Sequence, residues 1–88
     1  MIPASLTICA RQYTITLQSM VGAAGCCDNA GQAITIDSDA HPETQSSVLL
    51  HEVIEAISAS YNLDLKHHVI STLETALYSV LVTNGWWG

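Results

Sequence analysis

Residues 47–57 read Ser-Val-Leu-Leu-His-Glu-Val-Ile-Glu-Ala-Ile, and this stretch decides the fold that we predict. Apolar residues recur in it at steps of three and four, from Val48 to Ile57, as they do on the buried face of an amphipathic helix. His51 and Glu55 are four residues apart and therefore lie on one side of such a helix. The stretch predicts a helix that carries a polar site next to its buried face.

Two helices are predicted around this stretch. The first covers about residues 42–61, because Pro42 suits a first helical turn and residues 62–64 interrupt the apolar pattern. The second covers about residues 65–83, with Asp64 as its N-cap. A link this short predicts an antiparallel helical hairpin.

The sequence before the first helix is typical of β-strands. Three segments alternate apolar residues with Thr or Ser, the two-residue period of a half-buried strand: residues 5–9, 13–17 and 33–37. Residues 25–28 (Gly-Cys-Cys-Asp) flank or enter a further hairpin. We therefore predict one α+β domain over residues 1–88. It would have a small antiparallel sheet of three to four strands, at about residues 5–37, followed by the two-helix antiparallel hairpin.

Charge restricts the class of partner. The formal net charge is −6, and Arg11 and Lys66 are the only Lys or Arg residues. Binding to a phosphate backbone needs several basic contacts, so we exclude nucleic acids and anionic membranes as partners. Charged residues make up only 11% of the chain, which suggests that apolar surface contacts a protein or peptide. That partner is either another protein or a second copy in a homodimer.

The cysteines and the apolar runs predict a cytoplasmic protein. Cys9, Cys26 and Cys27 are odd in number and irregular in spacing, which does not suit a disulfide framework and favours reduced thiols. Residues 1–4 lack the basic start and apolar run of a signal peptide. The longest apolar stretch, residues 75–82, is too short to span a bilayer.

The His-Glu-x-x-Glu motif has the spacing of a metal site. Two ligands four residues apart bind one ion in the H-E-x-x-H helix of zinc peptidases, and His51 and Glu55 stand at those positions. Glu52 beside them could accept a proton from water, which predicts a catalytic base. In a hairpin centred near Leu63, Glu74 lies opposite on an apolar stripe, where an unpaired acid is costly. We predict His51, Glu55 and Glu74 as metal ligands, although such a string also arises by chance on a solvated helix.

Four further residues complete the candidate set. His67 shares the stripe of Glu74 but is expected one turn nearer the loop, where it would hydrogen-bond to a ligand, or bind the ion if the hairpin is shifted. Tyr78 could hydrogen-bond to Glu74 or pack in the core. Trp86 and Trp87 are either a packed tail or paired anchors for a protein partner.

In this order and setting, the chain resembles the small phage and prophage proteins related to the zincin-like, ImmA/IrrE-type metallopeptidases. The pieces that carry the resemblance span most of the chain: residues 3–9, 13–15, 25–28, 32–37, 47–57, 63–67 and 70–78. The resemblance implies a small sheet packed on two helices, and a location in the cytoplasm of a phage's host cell. It also implies His51 as first ligand, Glu52 as general base and Glu74 as downstream ligand.

Glu55 departs from the family pattern, because it occupies the place of the second His. Two carboxylates and one imidazole form a harder site, which favours manganese or iron over zinc and makes the ion a poorer Lewis acid. Two hypotheses follow. The chain is a metallopeptidase-related domain, either active or degenerate, or it is a non-catalytic phage-encoded inhibitor or adaptor that binds a host protein, for example of a defence system.

Overall fold

The computed structural model describes residues 2–87. Four strands precede two helices, in the order β1 (Ser5–Ile8), β2 (Arg11–Gln18), β3 (Gly25–Asp28), β4 (Ala33–Asp37), α1 (Pro42–Ser60) and α2 (His67–Thr83). This arrangement confirms the predicted α+β class, with a four-stranded sheet followed by a helical hairpin.

Two hairpins pair side by side to form the sheet, whose strand order is β1-β2-β4-β3. β1 and β2 are antiparallel and are joined by Cys9 and Ala10 at positive φ (52° and 64°), as a two-residue hairpin turn requires. β3 and β4 are also antiparallel, whereas β2 and β4 run parallel in the middle of the sheet. The expectation of a fully antiparallel sheet is wrong at this one pairing, because the two-residue period identifies the faces of a strand and not its direction.

The main core lies between the sheet and α1. Its buried residues come from β1, β2, β4 and α1: Ile8, Tyr13, Ile15, Ile34, Ile36, Leu49 and Ala56. A second cluster joins α1 to α2 through Leu50, Ile54 and Ile70. α1 therefore packs on the sheet with one side and on α2 with another, and α2 forms the outer layer. Within residues 2–87, no helix has both the length and the apolar run needed to cross a membrane.

The link between the helices sets where α2 begins. Asn62 and Asp64 have positive φ angles (52° and 51°), and the Leu65 backbone N–H donates to Ser58 Oγ at 3.1 Å. The N-cap role predicted for Asp64 is wrong, since the residue at the capping position of α2 is Lys66, in extended backbone. α1 ends one residue before the predicted bound, and α2 begins two residues after it.

Candidate metal site

The polar side of α1 faces a cleft of about 280 Å³ that is bordered by α1, α2 and the start of β3. His51 and Glu52 line the cleft from α1, His67 and Glu74 line it from α2, and Gly25 lines it from β3. The structure therefore brings His51 and Glu52 of the motif together with His67 and Glu74 of α2, while Glu55 lies beside His51 at the border of a neighbouring cavity.

Three side chains converge closely enough to hold one metal ion. One ligand atom each from His51, Glu55 and His67 lies within 4.8 Å of the others. His51 Nε2 is 3.8 Å from Glu55 Oε1, and the His51 and His67 rings have centroids 5.4 Å apart. Two imidazoles and one carboxylate are a donor set that divalent transition metals accept.

His67 lies closer to His51 than residue counting about the turn predicts. Counting residues about a symmetric turn places His67 near Ala59, two helical turns of α1 away from His51. Lys66, in extended backbone (φ −68°, ψ 151°), immediately precedes His67, the first residue of α2. Residue counting alone therefore did not predict that His67 would lie beside His51.

Glu74 lies behind the His51 ring and outside the group of three. Its Oε1 accepts a hydrogen bond from His51 Nδ1 at 2.8 Å. Its Oε2 accepts a hydrogen bond from the Ser47 hydroxyl, one helical turn earlier on α1. The structure thus groups His67 with His51 and Glu55, the alternative that was expected for a shifted hairpin, whereas Glu74 hydrogen-bonds to His51 from outside this group.

Glu52 is the buried acid of the site. It is 4% exposed, and within residues 2–87 its Oε1 has no hydrogen-bond partner. Burial first, and then the negative charge of Glu55, raise the pKa of Glu52 to about 7, although the nearby His51 lowers it in part. A carboxylate with a free oxygen and a pKa near neutrality can both accept and release a proton at physiological pH.

Gly25 allows β3 to approach Glu52 closely. A Cβ atom at this position would lie 2.6 Å from Val48 Cγ1, 3.1 Å from the Thr35 carbonyl oxygen and 3.3 Å from Glu52 Oε2. From the sequence, residues 25–28 were expected to flank or enter a hairpin, and Gly25 is the first residue of β3. A glycine in a strand also marks a close approach of another chain segment, and that meaning applies here.

The thiol nearest the site is held in its protonated form. Cys27 is half-buried on β3, and its Sγ donates to Asn29 Oδ1 at 3.4 Å. Burial, followed by the charges of Glu52 and Glu55, raises the pKa of Cys27 to about 11. Within residues 2–87, Cys27 does not belong to the group of ligand atoms that converge at His51.

The remaining candidates lie away from the cleft. The Tyr78 hydroxyl donates to the Glu43 carbonyl oxygen at 3.3 Å, so it joins the helices and does not bond to Glu74. Trp87 packs against both apolar clusters, whereas Trp86 is 76% exposed. The two tryptophans therefore differ, and Trp86 is the one that a partner could contact.

Comparison of the chain with protein-family models, curated proteins and solved structures finds no match. The relationship to zincin-like proteins therefore remains an expectation from sequence.

Proposed function

We propose that the chain is a divalent-metal-binding domain of the metallopeptidase-related type, with His51, Glu55 and His67 as ligands. The observation that carries the proposal is the convergence of these three side chains within 4.8 Å, beside a buried acid, Glu52. A buried oxygen without a partner is costly unless a ligand or water satisfies it, so Glu52 Oε1 independently supports an occupant of the cleft.

The donor set favours zinc over the harder metals expected from sequence. Two His and one Glu are the ligands of many zinc peptidases. Here the carboxylate of that set comes from α1, as Glu55, and the second imidazole comes from α2, as His67. The ligand set therefore still contains two imidazoles and one carboxylate. Manganese or iron was expected only because the sequence suggested two carboxylates and one imidazole.

The chain provides a general base, Glu52, and an edge strand, β3, that a peptide substrate could pair with. A bound divalent ion would act as a Lewis acid and would lower the pKa of a coordinated water molecule. Glu52 lines the cleft, and its carboxyl group, whose pKa is raised to about 7, can accept a proton at neutral pH. β3 lies at the edge of the sheet beside the cleft, where its unpaired backbone groups suit an extended peptide. We therefore propose peptide hydrolysis as the reaction.

Metal analysis is the first test. Protein purified without a metal-affinity column should contain zinc, or bind it in calorimetric titration. His67→Ala should greatly weaken binding, and His68→Ala, which removes the adjacent exposed imidazole, should not. Glu52→Gln should retain zinc and lose hydrolysis of a casein-derived peptide mixture. Equal zinc binding by His67→Ala and His68→Ala would refute the ligand set.

A non-catalytic inhibitor or adaptor is the second proposal, and the outer face of α2 favours it. Leu73, Leu77 and Val80 form an apolar stripe there and are 37%, 42% and 52% exposed. Residues 75–88 contain no charged side chain, and Trp86 in this segment is also exposed. If the protein is a binder, Leu77→Asp should abolish capture of a host protein, while His67→Ala should leave capture unchanged. The reverse result would favour the metal-dependent function.

A further inference from the structure

We infer that Glu74, held in place by Ser47, is a positioning residue that fixes the His51 imidazole in the tautomer with its Nε2 lone pair facing Glu55. The inference rests on the proposed metal site, since it concerns how one ligand of that site is prepared. It also gives Glu74 a role different from the direct ligation that the sequence resemblance implies.

The hydrogen bonds of His51 determine its tautomer. A neutral imidazole has one nitrogen that donates and one that accepts, and a carboxylate can only accept. Because Glu74 Oε1 is 2.8 Å from Nδ1, the proton of the neutral ring resides on Nδ1. Nε2 then carries the lone pair, and it is the nitrogen that faces Glu55, at 3.8 Å from Oε1. This arrangement prepares Nε2 as a metal ligand.

Ser47 helps to hold the Glu74 carboxylate against His51 and outside the group formed by His51, Glu55 and His67. Its hydroxyl donates to Glu74 Oε2 while His51 donates to Oε1, so both carboxylate oxygens are engaged. Ser47 and His51 are four residues apart on α1, and Glu74 reaches both from α2. Direct ligation by Glu74 would have to use the remaining lone pair of an oxygen that already accepts one of these hydrogen bonds.

Partial burial strengthens the hydrogen bond between His51 and Glu74. The side chains of His51 and Glu74 are 14% and 20% exposed. In such surroundings a hydrogen bond to a charged group is stronger than in water, and an unpaired carboxylate is costly. A carboxylate bonded to the distal nitrogen of a ligating His also raises the basicity of the ligand and fixes the orientation of the ring.

The test measures the tautomer of His51 directly. The ¹⁵N shifts of the ring nitrogens would be recorded by NMR on the full chain with EDTA, at about pH 8, where an ordinary His is neutral. The wild type should show the proton on Nδ1. Glu74→Ala should shift His51 toward the Nε2–H form. Glu74→Gln should retain the Nδ1–H form, because its amide oxygen still accepts.

Zinc titration of the same proteins gives the second readout. Loss of such a hydrogen-bond partner typically costs about 10- to 100-fold in metal affinity, and we expect this loss for Glu74→Ala. Glu74→Gln should recover part of the loss, and Ser47→Ala should show a smaller one. Ser47→Ala also keeps the test available if Glu74→Ala does not fold.

Tyr78→Phe is the matched control, since it removes another hydrogen bond between α1 and α2 without contacting His51. It should leave both the tautomer and the zinc affinity unchanged. A wild-type His51 with its proton on Nε2, or a Glu74→Ala variant with unchanged tautomer and affinity, would overturn the inference. Loss of zinc by Glu74→Gln as complete as by His67→Ala would make Glu74 a ligand and would also overturn it. If the wild type binds no zinc, the proposed function fails, while the tautomer in EDTA still decides whether Glu74 positions the ring.

Discussion

Replacing Glu52 by Gln should stabilise the metal-free domain at neutral and alkaline pH, and should have little effect near pH 4. The pKa of Glu52 is raised from an ordinary 4.5 to about 7, chiefly by burial. Between these two values the folded state binds more protons than the unfolded state, so the free energy of unfolding falls as pH rises through that window. Above about pH 7 the folded state carries the full cost of a buried charge.

The size of the effect follows from the displacement of the pKa. At about 1.4 kcal/mol per pKa unit, a rise from 4.5 to about 7 corresponds to roughly 3 kcal/mol of lost stability at high pH. Gln has nearly the same shape and no charge, so Glu52→Gln avoids this loss. The difference in unfolding free energy between variant and wild type should therefore grow from near zero at about pH 4 to roughly 3 kcal/mol at about pH 8.

Urea denaturation followed by circular dichroism, with EDTA present throughout, measures this difference at each pH. Glu43→Gln is the matched control, because it removes an exposed carboxylate from the first turn of the same helix. Its effect should be a few tenths of a kcal/mol, as for a surface charge near a helix end. A Glu52→Gln variant that is less stable than wild type at pH 8, or a difference that does not change with pH, would refute the reasoning. A confirmed gain would identify Glu52 as a residue kept at a cost in stability, as is common at functional sites.

Three further outcomes are expected from the structure. Zinc at 100 times its dissociation constant should raise the unfolding free energy by about 2.7 kcal/mol in the wild type and in His68→Ala, but not in His67→Ala; equal shifts in a thermal melt of all three would contradict the ligand set. Gly25→Ala should cost about 1–3 kcal/mol in urea unfolding, since the new methyl group would meet α1 at 2.6 Å, and a cost under about 0.5 kcal/mol would show that β3 can move away. Trp87→Ala should destabilise the domain by about 2 kcal/mol or more, while Trp86→Ala should stay within about 0.5 kcal/mol; similar losses would mean that the exposed ring also packs.

Local periodicity was sufficient to predict both helices and three of the four strands, but it did not identify β3 (Gly25–Asp28). The three- and four-residue steps around His51 predicted α1, and the alternation in residues 33–37 predicted β4, because each pattern reports which face of one element is buried. The direction of β4 relative to β2 was decided by tertiary structure. An isolated strand has the same alternation in either direction, and the crossover through residues 19–24 that puts β3 outside β4 has no periodic signal.

For the candidate site, too, the sequence determined one part and the tertiary structure decided the rest. His51 and Glu55 lie together because they are four residues apart on one helix, which sequence alone determined. Whether His67 or Glu74 completes the set depended on where α2 begins and on which atoms of Glu74 already bond to His51 and Ser47. Those contacts are set by the backbone of the link and by packing between two helices. Residue spacing within either helix does not encode that geometry. Only the tertiary structure could therefore show that Nδ1 of His51 faces Glu74 and that Nε2 faces Glu55.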